Sequence, residues 1–229
     1  IRHAHPDMHE LKVVRKGMLG VDFEIDADTQ YEFINGKGYF YGKDYRYSID
    51  HKANNSWWIG QIRKDTPNKI RRVNHPLFSA LKIKDLGSRK IRVMYPNTFR
   101  FKAGDCYYVF DVRRQFAGIF INKCENVTLE NIKQRFNYSL ALVAQDSENI
   151  TVDNIEFAPE KNSARKMASV ADFVQICMCR GDVSIKNSCF DGAGDDSLNV
   201  HGVHFKITDI NDNQLTVRFM HPQSHGYNP

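Results

Sequence analysis

An eight-residue pattern returns along the chain, and its spacing restricts what the chain can fold into. Glu125-Asn126-Val127-Thr128-Leu129-Glu130-Asn131-Ile132 recurs 23 residues later as Glu148-Asn149-Ile150-Thr151-Val152-Asp153-Asn154-Ile155. A looser copy, Gly181-Asp182-Val183-Ser184-Ile185-Lys186-Asn187-Ser188, follows after 33 residues, one period plus a ten-residue polar loop at 158–167. The β-branched runs alternate and are too short for helices, so they read as strands. Asn tolerates the left-handed region and bonds its own backbone, which suits the corners between strands. A unit of this length cannot bury its apolar face alone, so successive copies must stack. The pattern predicts an all-β chain built around a parallel β-helix with about 23 residues per coil.

Stacking gives meaning to three aspartates. Ala171-Asp172-Phe173-Val174-Gln175-Ile176 aligns with Asp195-Asp196-Ser197-Leu198-Asn199-Val200. In that alignment Asp172 and Asp196 share a column one coil apart, about 4.8 Å by strand spacing. Asp195 is their chain neighbour. In a straight strand it would face the other way. It joins the same cleft only if the backbone bends, which Gly192-Ala193-Gly194 permits. Like charges this close cannot all ionise cheaply, so their pKa values are expected to separate, as an acid and a base working at one pH require. Paired carboxylates across a cleft are the equipment of glycoside hydrolysis. Gln175, Asn199 and His201 lie on the same two runs and are expected to contact substrate, with Arg113 upstream.

Composition excludes several other classes. The 229 residues are 41% apolar, 12% aromatic and 26% charged, which is globular, with no apolar run long enough for a membrane helix. The net charge of +5 is scattered, so no nucleic-acid stripe is expected. Five cysteines, an odd number, do not make a complete disulfide framework. Cys177 and Cys179 read as a strand pair on one buried face rather than as metal ligands, and no metal or cofactor is expected. Two of the four Asn-x-Ser/Thr sequons, at Asn126 and Asn149, belong to the repeat itself. The aromatics Tyr39, Phe40, Tyr41, Tyr45, Tyr47, Trp57 and Trp58 read mainly as strand packing.

A second repeat divides the chain. Leu81-Lys82-Ile83-Lys84-Asp85-Leu86 resembles Phe205-Lys206-Ile207-Thr208-Asp209-Ile210, and Ile91-Arg92-Val93-Met94-Tyr95-Pro96 resembles Val217-Arg218-Phe219-Met220-His221-Pro222. The expected organisation is N-terminal strands and a first small β-barrel-like module over 1–110, β-helix coils over 111–202, and the start of a second such module over 203–229. The second module is expected to continue in a longer protein. Gly36, Gly38 and Gly42 are expected at turns, and 161–167 at most as one polar turn.

The motifs Ala171-Asp172-Phe173-Val174-Gln175, Gly194-Asp195-Asp196-Ser197-Leu198-Asn199-Val200-His201-Gly202, Tyr107-Tyr108-Val109-Phe110 and Asp111-Val112-Arg113-Arg114-Gln115-Phe116-Ala117-Gly118-Ile119 resemble those of glycoside hydrolase family 110. That resemblance implies a right-handed parallel β-helix with inserted small β-barrel modules, and no metal. It implies an exo-acting, inverting α-1,3-galactosidase that removes terminal galactose from blood-group-B-type or linear glycans, in a secreted or periplasmic bacterial protein. A more distant likeness to polygalacturonases implies Asp195 as the acid, with Asp172 and Asp196 holding the attacking water. The later Gly-His-Gly of that family is missing here, which counts against pectin. A non-catalytic glycan-binding β-helix and a polysaccharide lyase are the competing readings. The lyase reading lacks a basic residue in the aspartate column.

Overall fold

Buried and more exposed side chains alternate in early strands such as Lys37–Tyr41 and Lys90–Met94, and the chain there forms antiparallel strands. The computed structural model describes residues 8–27, 29–41, 46–48, 59–63, 66–73, 76–77, 80–110, 117–137, 139–161 and 167–221. Among them every regular element is a strand, and no helix is long and apolar enough to cross a membrane. The chain divides into two compact units, Ile1–Arg113 and Arg114–Pro229.

The first unit holds β1 (Met8–Lys16), β2 (Gly20–Ile25), β3 (Tyr31–Ile34), β4 (Lys37–Tyr41), β5 (Arg46–Ser48), β6 (Ile59–Arg63), β7 (Thr66–Val73), β8 (Lys82–Gly87), β9 (Lys90–Met94) and β10 (Cys106–Phe110). Seven of these form one antiparallel sheet in the order β7-β6-β10-β1-β2-β9-β8, and β3-β4-β5 form another. Leu11, Val13, Val21, Phe23, Ile25, Ile91 and Val93 alternate onto one buried face, the period of two that a half-buried strand requires. Phe101 closes this core edge-on to Phe23 and Tyr107, at centroid distances of 5.6 and 6.0 Å. Gly36 takes the turn between β3 and β4 with φ of 75°. Gly38 does not: it lies inside β4, paired with Phe33. Gly42, Tyr45, Trp57 and Trp58 fall outside the described residues.

The second unit contains the repeat. Its strands are β11 (Ile119–Asn122), β12 (Glu125–Glu130), β13 (Lys133–Gln134), β14 (Leu142–Gln145), β15 (Glu148–Asp153), β16 (Glu156–Phe157), β17 (Val174–Cys177), β18 (Arg180–Lys186), β19 (Cys189–Phe190) and β20 (Leu198–His201). They sort into three parallel sheets, β11-β14-β17-β20, β12-β15-β18 and β13-β16-β19. The chain visits the sheets in that order on each circuit, and each strand pairs with its own next copy, as Val127 with Ile150 and Ile150 with Val183. Inward side chains of successive circuits pack into one core that includes Ile121, Leu142, Ala144, Ile150, Val152, Phe173, Val174 and Ile176.

Left-handed residues stack at each change of direction: Lys123, Asp146 and Met178; Asn126, Asn149 and Gly181; Asn131, Asn154 and Asn187. The asparagines behave as the repeat predicts. Asn149 Nδ2 donates to Asn126 Oδ1 (3.1 Å) and Asn154 Nδ2 to Asn131 Oδ1 (2.6 Å). The first of these bonds joins the asparagines of the two sequons that belong to the repeat. The first corner uses Lys and Met at positive φ, a conformation their Cβ atoms disfavour, and nothing in the repeat announced it. Met178 also corrects the reading of the cysteines. Cys177 ends β17 and Cys179 lies beyond the corner, so the two do not share a strand face.

The extra length in the third copy divides in two. Gln134 pairs with Phe157, 23 residues on, but Asn137 bridges Ser169, 32 residues on. Nine residues are therefore inserted between Phe157 and Ser169, where the polar loop was expected; positions 162–166 lie outside the described residues. The tenth is a bulge at Gly181, between the Glu148–Arg180 and Ile150–Val183 pairs.

The second repeat folds as two hairpins, β8–β9 and β21 (Phe205–Asn211) with β22 (Gln214–Phe219). Both loops hold two residues, Ser88-Arg89 and Asp212-Asn213, so the longer copy lengthens its strands instead. The register slides by two: Val217 resembles Ile91 in sequence but faces Ile207, as Val93 faces Ile83. A slip of two keeps each side chain on its face. Almost every residue of β21 and β22 is exposed.

One buried histidine links folding of the first unit to pH. His9 is 4% exposed, shares a 2.7 Å hydrogen bond with Thr29 Oγ1 and stacks on Phe40 at 4.6 Å. Thr29 in turn donates from its hydroxyl and backbone N–H to Asp26 (2.5 and 3.0 Å). Burial pushes the His9 pKa down from 6.5 to about 4, against the opposing pull of the Asp26 charge. A lowered histidine pKa means that the unfolded chain takes the proton first as pH falls. The His9 contribution to stability is therefore intact above pH 6.5 and declines progressively down to about pH 4. Urea melts of the wild type and of His9→Phe between these limits should diverge, the variant losing less stability on acidification.

Candidate active site

The site forms where β17 and β20 begin. Val174 pairs with Leu198, Gln175 with Asn199, Ile176 with Val200 and Cys177 with His201. Carried back two residues, this register sets Asp172 opposite Asp196, and backbone bonds from Phe173 N to Asp196 O (2.9 Å) and from Val174 N to Ser197 O (3.3 Å) hold it there. Asp172 is anchored by the residue after it. The Phe173 ring is fully buried between Phe157 and Phe190, at centroid distances of 5.7 and 5.9 Å.

Asp195 reaches the same place because neither partner segment is a regular strand there. Residues 171–173 and 194–197 are bends and irregular backbone leading into β17 and β20. Gly194 makes the second bend possible. A Cβ at this position would lie 2.2 Å from the Val170 carbonyl oxygen and 2.8 Å from that of Ser169. Gly192, at φ of 79°, accepts a hydrogen bond from Ala168 N (2.8 Å) and keeps the 192–194 loop against the preceding circuit.

Asp172, Asp195 and Asp196 each offer a carboxylate oxygen within 4.8 Å of the others. Asp172 is buried, whereas Asp195 and Asp196 are exposed. The Asp172 carboxylate accepts hydrogen bonds from Asn199 Nδ2 (3.2 Å) and, at longer range, from the Asp196 backbone N–H (3.4 Å). Asn199 thus touches an acid directly and fixes its orientation. Three such oxygens are also compatible with a hard divalent cation, which takes carboxylate ligands. The thiols at the far end of β17 are poor metal ligands: burial pushes the pKa of both Cys177 and Cys179 up, which disfavours the thiolate that metals bind.

His201 and Gln175 form a pair farther along the same two strands, Gln175 Nε2 lying 3.0 Å from His201 Nε2. His201 Nδ1 lies 2.9 Å from the Gly202 carbonyl oxygen. A carbonyl only accepts, so Nδ1 carries the proton and Nε2 accepts from the Gln175 amide. The fold therefore brings together six of the seven expected site residues on two neighbouring strands and the bends before them. Arg113 lies outside the described residues. Sequence reasoning passed over Phe173, whose signal was a bulky aromatic set between an aspartate and a β-branched run. Replacing Gly194 with alanine forces backbone against backbone and should destabilise the protein by about 1–3 kcal/mol. Ala193→Gly should cost less, and thermal melts of the two variants test the difference.

No protein-family model matches the chain. Curated relatives do. Alpha-1,3-galactosidase A of Bacteroides fragilis (strain YCH46) is 34% identical over 205 residues, covering 89% of this chain and 33% of the relative. Alpha-1,3-galactosidase A of Bacteroides thetaiotaomicron is 30% identical over 228 residues, covering 99% of this chain and 39% of the relative. Alpha-1,3-galactosidase A of Streptomyces avermitilis is 37% identical over 170 residues, or 73% of this chain and 27% of the relative. The chain thus spans roughly a third of the length of these relatives. With its likeness to these proteins running over most of its length, the chain belongs to the family of the bacterial α-1,3-galactosidases, glycoside hydrolase family 110.

Proposed function

We propose that this chain carries the catalytic centre of an exo-acting α-1,3-galactosidase that removes terminal galactose from blood-group-B-type or linear glycans with inversion. The observation that carries the reading is the meeting of Asp172, Asp195 and Asp196 within 4.8 Å in a chain whose relatives bear that enzyme name. The scaffold in this reading is a right-handed parallel β-helix over 111–202, with β-barrel modules before and after it, in an exported protein.

The roles follow from surroundings. Asp172 accepts hydrogen bonds from Asn199 and the Asp196 N–H, the placement of a group that holds and deprotonates water. Asp196 lies opposite it and completes the water clamp. Exposed Asp195 protonates the glycosidic oxygen as the bond to the anomeric carbon breaks. Water attacks that carbon from the other face, its proton passing to Asp172 or Asp196. His201 and Gln175, with Arg113, bind hydroxyl groups of the sugar.

Distance bears on stereochemistry. Inverting enzymes keep their two carboxyl groups roughly 6.5–9.5 Å apart and retaining enzymes about 5–5.5 Å. The nearest oxygens here, within 4.8 Å, are closer than the inverting window. Inversion therefore uses the outer oxygens of the acids, or a groove that widens around the sugar. The same closeness favours one rival, retention with an aspartate nucleophile.

Proton NMR of the first galactose released decides between them: inversion gives the β-anomer and retention the α-anomer. Asp195→Asn should slow hydrolysis of an ordinary α-1,3-galactoside by roughly 10²–10⁴-fold, the usual contribution of a general acid. An activated aryl galactoside, whose leaving group needs no proton, should suffer far less. Equal losses on both substrates would remove Asp195 from the acid role. If the intact protein binds galactosyl glycans but releases no galactose, the non-catalytic scaffold reading stands instead.

A further inference from the structure

The sheet β11-β14-β17-β20 has one face in the core and one face outside. Ile121, Leu142, Ala144, Val174 and Ile176 point inward and are buried. The residues between them therefore point outward, and the in-register pairing lines them up: Phe120 beside Val143, Val143 beside Gln175, Gln175 beside Asn199. Asn199 touches the Asp172 carboxylate, so the cluster of three acids adjoins this outer column. The column is polar near the acids and apolar away from them. Among the described residues it ends on Phe120, which is 60% exposed.

We propose that Phe120 is a stacking platform for the glycan on the leaving-group side of the cleaved bond. The inference rests on the galactosidase reading of the acids and deepens it by naming where the rest of the substrate runs. From the acids the sheet extends across β17 and β14 to β11. With a terminal galactose held at the acids, the remaining sugars laid along this column cross Gln175 and Val143 to Phe120. Amide groups suit the hydroxyls of the first sugars. An exposed ring suits the apolar C–H face of a later one, since aromatic side chains present flat apolar area that few surfaces offer. From Asn199 to Phe120 is three strand spacings, roughly 14 Å. A disaccharide held at the acids does not extend that far, whereas a tetrasaccharide does.

The test compares two substrates with the same terminal linkage, an α-1,3-galactosyl disaccharide and a linear tetrasaccharide, on the full-length protein. Phe120→Ala should raise KM for the tetrasaccharide about tenfold, ~1.4 kcal/mol, with kcat unchanged and the disaccharide unaffected. Phe120→Tyr should restore the wild-type values. The melting temperature of Phe120→Ala should match the wild type, because the ring is outside the core. The proposal is overturned if the ratio of tetrasaccharide to disaccharide efficiency is the same in the wild type and Phe120→Ala. Should the unmodified protein hydrolyse neither glycan, the galactosidase reading fails on its own. Calorimetric titration of both glycans onto the wild type and Phe120→Ala then decides the platform by the same ratio.

Discussion

The parallel backbone ladder between one circuit and the next is the interaction on which the second unit depends. Every strand from β11 to β19 is short, two to seven residues, and none would be stable alone. Pairing each with its counterpart satisfies its backbone groups and at the same time stacks like side chains on like. Val127, Ile150 and Val183 share one position, and Asn126 and Asn149 another. Registry is the consequence. Once a circuit is fixed, the next has little freedom, because a one-residue slip would turn its apolar residues outward.

Registry also explains the site. Asp172 and Asp196 belong to different circuits, 24 residues apart, and only stacking makes them neighbours. The ladder then has to relax locally, since a third acid adjacent in sequence cannot share a face in regular strand geometry. The chain meets this with irregular backbone on both circuits, braced by Phe173 inside and by Gly194 against the Val170 carbonyl. The same regularity that crowds the acids lays Asn199, Gln175, Val143 and Phe120 in a row beside them. A straight row of outward side chains follows from a sheet whose outer face is itself periodic.

Much of this is legible in sequence because the repeat is local information written several times. The 23-residue interval announced parallel pairing, and alignment of two apolar runs gave the register of β17 on β20 residue for residue. The asparagine corners were equally visible, since that side chain tolerates the left-handed region better than most. Lys123 and Met178 at positive φ were not, because tertiary stacking there overrides a local preference. The ten extra residues could be counted in sequence but not apportioned: pairing alone shows that nine belong to the loop and one to the Gly181 bulge.

The sequence by itself determined the strand class, the period, the column shared by Asp172 and Asp196, and the glycine-rich stretch before Asp195. Each is set by spacing or by side-chain chemistry that acts within a few residues. Only the tertiary structure decided that all three carboxylates converge, that Asn199 orients one of them, and that Phe120 ends an outer column leading from them. Those facts depend on where the backbone bends and on which face each strand turns to the core. The packing of Phe173, Phe157 and Phe190 and the close approach of Gly194 to Val170 hold that bend across circuits far apart in sequence.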